Sequence, residues 1–160
     1  MSHQFCAALN CEHTTVGKSK YCFAHRAEAR RAFREKCAAD TAEREARYAK
    51  FAQITADAHT AGMLAGEACQ PVPMVIRGYE STPVLDGPCG FATVTVKPGN
   101  SSYAIWAKKN AGFGKAYYGG VSVSVHAFNQ SHDKKLAFAR AFAQVLQDNG
   151  INAFAQSRLD

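Results

Sequence analysis

From Ala24 to Cys69 the chain has no proline, its only glycines (Gly62 and Gly66) come late, and Ala, Arg and Glu dominate. Opposite charges recur four apart, at Arg31/Glu35, Lys36/Asp40, Asp40/Arg44 and Glu43/Arg47, a spacing that adds a few tenths of a kcal/mol per pair to a helix. Propensity and pairing together predict one long charged helix over 24–69, with a break expected near Gly62. Its larger apolar groups are sparse. Cys37, Thr41, Arg44, Tyr48, Phe51, Thr55 and Ala58 step by four and three, a weak heptad-like seam. Such a seam fits a helix that pairs with a copy of itself or with a partner, or a solvated helix with a thin stripe laid against the chain's own domain.

Further on the period changes. Residues 91–97, FATVTVK, alternate and read as a strand. Pro98-Gly99 turns the chain, and Asn100 or Ser101 caps a short helix through Lys109, stopped by Asn110, Gly112 and Gly114. Residues 120–128, GVSVSVHAF, alternate again, with Val121, Val123 and Val125 on one face. Asn129 or Ser131 caps a helix to Asn149 whose Leu136, Phe138, Ala139, Phe142, Ala143, Val145 and Leu146 share a side, and Gly150 is its stop. Residues 151–159 supply a third strand. The expected order is β-α-β-α-β over 91–160.

Between these regions, 70–90 holds Pro71, Pro73, Pro83 and Pro88. Proline removes backbone donors and disfavours helix before it, so the long helix cannot continue there. Yet Val72, Met74, Val75, Ile76, Tyr79, Val84 and Leu85 make this linker too apolar for a free tether. It is expected to lie irregularly against the C-terminal domain. Its flanking Cys69 and Cys89 read as two reduced thiols.

The N-terminus carries different chemistry. Cys6-x4-Cys11-x10-Cys22-x2-His25 is metal-ligand spacing. Cys6 and Cys11 bracket a knuckle, 12–21 suggests a small hairpin turning at Gly17-Lys18, and Cys22 and His25 fall on the first turn of the long helix. That is a treble-clef-like zinc module over 1–36, with His13 or His3 able to replace one ligand. Three Cys and one His close a tetrahedron, so a bound Zn2+ is structural rather than catalytic. The fold class expected is α+β: zinc module, long charged helix, Pro-rich linker, and a C-terminal domain of strands and helices.

Charge narrows the partners. The net charge is +6, shared unevenly. Residues 1–50 carry ten Lys/Arg against six Asp/Glu, 51–90 one against four, and 91–160 eight against three. Two basic ends suit nucleic acid, DNA or RNA, or an acidic protein. The candidates for phosphate are Lys18, Lys20, Arg26, Arg30, Arg31 and Arg34 beside the zinc module. In the loop 108–120, Lys108, Lys109 and Lys115 interleave with Phe113, Tyr117 and Tyr118, a mixture that suits single-stranded nucleic acid. Trp106 reads as core. No apolar run is long enough to span a bilayer, and MSHQFCAALNC lacks the basic and apolar regions of a secretory signal. His126 and His132 have no recognisable nucleophile or carboxylate pattern, and Gly112-Phe-Gly114-Lys lacks P-loop spacing.

The stretches AGMLAGEACQPVPM, CGFATVTVKPGNSSYAIWAKKN, YYGGVSVSVHAFNQS and AFARAFAQVLQDNGINAFAQSRLD resemble those of small proteins of tailed bacteriophages, over about residues 61–160. The resemblance implies a phage origin and a host-cytoplasm setting. It implies no activity and no catalytic residues. The function expected is a non-enzymatic, zinc-stabilised nucleic-acid-binding accessory protein, the alternative being an adaptor or inhibitor that binds a host protein.

Overall fold

A computed structural model describes residues 4–15, 17–75, 78 and 83–160. The chain divides into two compact units, Met1–Arg47 and Tyr48–Asp160. Helix α1, Phe23–Ala68, belongs partly to each.

In the first unit, backbone bonds tie residues 4–7 to the loop that follows. Cys6 N donates to His13 O at 3.0 Å, Thr15 N to Gln4 O at 2.8 Å, and Ala7 N to Lys20 O at 2.9 Å. The expected hairpin within 12–21 is therefore corrected. Its turn at Gly17 is present, with φ 72°, but among the described residues both arms bond the 4–7 segment rather than each other. This arrangement brings Cys6 to the start of α1. The helical half of this unit is largely exposed. Of the four expected i,i+4 ion pairs, only Arg31–Glu35 closes among the described residues, at 3.8 Å.

The second unit is mixed α and β. Strand β1 (Gly90–Val96), helix α2 (Ser102–Asn110), strands β2 (Gly114–Lys115) and β3 (Val121–Ser124), helix α3 (His132–Asp148) and strand β4 (Ala153–Leu159) follow in order. The short strand β2 is one more than the sequence pattern predicts, and it lies inside the Gly-rich 108–120 loop. The sheet order is β2-β3-β1-β4 with every pair antiparallel. Two β-α-β units thus interlock, each placing its second strand beyond a strand of the other. Ser101 caps α2 by accepting from Ala104 N. Ser131 precedes α3 but makes no side-chain cap; its hydroxyl donates to Asp86 O at 2.7 Å and so anchors the segment before β1.

Alternation decides the faces. Ala92, Val94 and Val96 of β1, Val121 of β3 and Ala153 of β4 enter the core with Phe138, Phe142 and Leu146 of α3. Tyr103 and Trp106 of α2 join them, so Trp106 is core as expected. The C-terminal half of α1 completes this layer. Phe51 meets Tyr103 edge to face at 5.4 Å, the Thr55 and Tyr103 hydroxyls lie 2.9 Å apart, and Ala58 is fully buried. The lower half of the heptad-like seam is therefore used inside the chain's own domain, while Cys37 and Arg44 are exposed.

The helix does not break at Gly62. Gly62 and Gly66 are buried helical positions where a Cβ would press into the rings of Phe138 and Phe128. They are seats for aromatic rings, not stops. In the linker, Met74 and Val84 exchange backbone bonds, Val72 N donates to Asp133 Oδ2 at 3.2 Å, and His132 N donates to Pro88 O at 3.0 Å. These segments lie irregularly against α3. Ile76 and Tyr79 fall outside the described residues.

Candidate metal centre and cationic groove

The four residues singled out by spacing come together. One donor atom from each of Cys6, Cys11, Cys22 and His25 lies within 4.8 Å of every other. Cys22 is the residue before α1, where its carbonyl accepts from Arg26 N at 3.1 Å. His25 follows one turn later on the same side, so the helix start fixes two donors at once. The knuckle delivers the other two, its turn closed by Cys11 N to Ala8 O with Asn10 in the left-handed region at φ 58°.

The spacings can be tested against a metal. Zinc–sulfur bonds of about 2.3 Å and zinc–nitrogen bonds of about 2.0–2.1 Å at tetrahedral angles give S···S edges of about 3.8 Å and S···N edges of about 3.6 Å. Cys11 Sγ and Cys22 Sγ are 3.8 Å apart. His25 Nδ1 is 3.6 Å from Cys6 Sγ and 3.3 Å from Cys22 Sγ. The geometry is compatible with a closed four-ligand metal site. His13 Nδ1 is 3.4 Å from Cys11 Sγ on the exposed side of the cluster, and His3 lies outside the described residues.

The backbone prepares the sulfurs for charge. Burial pushes the Cys6 thiol up, but the N–H of Cys22, 3.2 Å away, and the bond from Ala8, helped by His25 and Cys11, outweigh it and bring the thiol down to about 6. Cys22 is lowered chiefly by the backbone N–H of His25. Cys11 is pulled down by the N–H of His13, yet burial and the Cys6 and Cys22 sulfurs leave it raised. The Cys6 and Cys22 sulfurs raise His25. Cys6 and Cys22 thus favour the thiolate while Cys11 keeps its proton, and a cation bound by all three sulfurs would displace that proton.

Beside this cluster, wholly within the first unit, lies an open groove of about 670 Å3. Lys18, Arg26, Arg30 and Arg34 line it together with Ser19, Tyr21, Ala29 and Phe33. The arginines recur every four residues and so form one stripe along α1. Arg26 Nε donates to Ser19 Oγ at 3.1 Å and to Tyr21 O at 3.3 Å, which fixes one wall. Among the described residues no acidic side chain lines the groove. Two of the expected phosphate-binding residues are not part of it: Lys20 is exposed elsewhere, and Arg31 faces Glu35. Tyr21 and Phe33 belong to the groove without having been singled out by sequence; the signal was their spacing from the arginines.

The C-terminal candidates separate. Lys108 and Lys109 are exposed in the last turn of α2, where cations suit the helix dipole. Lys115, Tyr117 and Tyr118 are exposed, but Phe113 is buried in the core. A further cavity of about 300 Å3 brings His59, Ser124 and His126 around Phe113 and Phe142, and no hydrogen bond joins those three polar groups among the described residues. Among the described residues no helix is long and apolar enough to cross a membrane. Compared with family models, curated proteins and solved structures, the chain matches none.

Proposed function

We propose that this chain is a zinc-stabilised nucleic-acid-binding accessory protein of phage origin that acts in the host cytoplasm by binding rather than by catalysis. The groove carries this reading: its lining offers four cations and two aromatic rings without a carboxylate, on residues that flank Cys22 and His25 of the Cys3His cluster in sequence. Three soft thiolates and one imidazole favour zinc, and with four protein donors the ion has no open position for substrate. Three thiolates on Zn2+ leave a formal charge of about −1, which the groove cations offset. The phage origin rests on the resemblance over residues 61–160.

The test is binding of labelled nucleic acid across a range of salt. Removing one cation–phosphate pair reduces the slope of log K against log[salt] by about 1. Arg30→Glu with Arg34→Glu should remove most binding and lower the slope by about 2, while Arg31→Glu, off the groove, leaves it nearly unchanged. An unchanged slope in the double variant would leave these arginines a merely solvated charged face. A complex with an acidic protein that survives nuclease treatment, with no binding of the labelled nucleic acid, would favour the adaptor reading instead.

A further inference from the structure

The second unit carries a surface that the groove does not explain. In residues 48–160 the helices pack on one face of the sheet, through Ala92, Val94 and Val96. The other face is set by register. Phe91 stands opposite Arg158, Thr93 lies between Gln156 and Ser124, and Thr95 lies between Phe154 and Ser122. Phe91 and Phe154 are 41% and 43% exposed, and Tyr117 and Tyr118, in the turn before β3, are 93% and 79% exposed. We propose that this face is a platform for single-stranded nucleic acid, distinct from the cationic groove.

Two adjoining hollows give the face its shape. One, of about 290 Å3, is bounded by Phe91, Tyr118 and Arg158. The next, of about 230 Å3, is bounded by Lys97, Tyr117 and Ser122. Thr93, Tyr118 and Gln156 border both, so Tyr118 stands between them. Tyr117 meets Tyr118 edge to face at 4.9 Å. The Arg158 guanidinium lies 5.0 Å from the Phe91 ring centre, a cation–π pair.

The chemistry selects the occupant. Lys97 and Arg158 supply positive charge, and among the described residues no Asp or Glu lines either hollow. Flat aromatic and guanidinium surfaces suit the faces of bases, and these are available only when the bases are unstacked. Thr93 and Ser122 offer hydroxyls to base edges. Thr95 donates to Gln156 Oε1 at 3.0 Å, which leaves the Gln156 amide nitrogen as the donor for a ligand. A duplex buries its base faces in its own stack and could use only the two cations. An apolar peptide would leave Thr93, Ser122 and Gln156 poorly partnered.

The two surfaces separate experimentally. The groove is mostly charge, so its variants change the salt slope. The sheet face is mostly stacking, so its variants change affinity at nearly constant slope. The probe is a fluorescein-labelled oligothymidylate of about twelve nucleotides, within the usual site size, with a duplex of equal length beside it. Full-length protein is used, both wild type and carrying Arg30→Glu and Arg34→Glu.

In both backgrounds Tyr118→Ala should weaken oligothymidylate binding roughly 5- to 150-fold. Its salt slope and its duplex affinity should stay constant, and Tyr118→Phe should restore binding. Phe154→Ala should act in the same direction. Tyr118 lies outside the core, so loss of fold does not confuse the result. Photocrosslinking to an iodouracil oligonucleotide should mark Tyr117, Tyr118, Phe91 or Phe154. Unchanged affinity in both alanine variants, equal loss of duplex binding, or adducts confined to residues 4–47 would overturn the proposal. Loss of the groove effect alone would overturn the proposed function and leave the platform standing.

Discussion

Replacing Gly62 with alanine sets two known effects against each other. In an exposed helix the change stabilises by about 1 kcal/mol, because glycine is the poorer helix former. Here the new methyl would lie 2.8 Å from Cδ2 and Cε2 of Phe138 and 3.0 Å from Cγ, well inside the 3.5–4.0 Å at which carbons attract. The ring cannot swing away cheaply. Phe138 is 6% exposed and held by Phe142 at 5.8 Å, Phe128 at 6.3 Å and the His59 ring at 5.5 Å. Overpacking of this kind costs about 1–3 kcal/mol. Subtracting the helix gain leaves a net loss of up to about 2 kcal/mol. Urea unfolding should show a lower midpoint at an unchanged slope. In the Phe138→Leu background the loss should shrink, because the two sites touch and so couple. A raised midpoint for Gly62→Ala would mean that α1 does not press on α3 at this point.

Two further outcomes are expected. Purified without chelators, the protein should hold about one zinc per chain by elemental analysis, and Cys22→Ser or chelation should speed amide exchange over residues 4–26 while leaving β1, β3 and β4 protected. The Asp133 carboxyl is held below its ordinary range, first by the Val72 N–H and then by His132; because its folded value is depressed, its contribution is present above the ordinary carboxylate range and is lost as pH falls through the lowered value. Exchange of the Val72 amide, corrected for intrinsic rate, should therefore rise only in acid, whereas Asp133→Ala should raise it at neutral pH by about 5-fold, as befits one hydrogen bond worth about 1 kcal/mol.

The Cys3His cluster was the most legible part of the sequence. Its ligands lie close along the chain, and a helix start constrains Cys22 and His25 through local geometry alone. The extent of α1 was legible for the same reason. Its glycines were not: whether Gly62 ends a helix or admits a ring depends on Phe138, far along the chain. The 108–120 loop divided in a way that composition hides. Phe113 turns into the core beside Tyr103, Tyr117 and Tyr118 stay in water, and Gly114–Lys115 pair with β3 although two residues carry no period. Phe91, Phe154 and Arg158 are separated by more than sixty positions in sequence at their extremes; only the register of β1 against β4 makes them neighbours.

The interlocked strands also order events in time. Gly90, which opens the central strand β1, pairs with Leu159, which ends β4, and α2, β2, β3 and α3 are all made between them. Helices settle within about a microsecond, but pairings between distant segments wait on loop closure. During that delay the alternating run of β1 has neither of its neighbours, and its valines are the segment most open to intermolecular pairing. A chaperone or a crowded refolding mixture should therefore act on the second unit through β1 first.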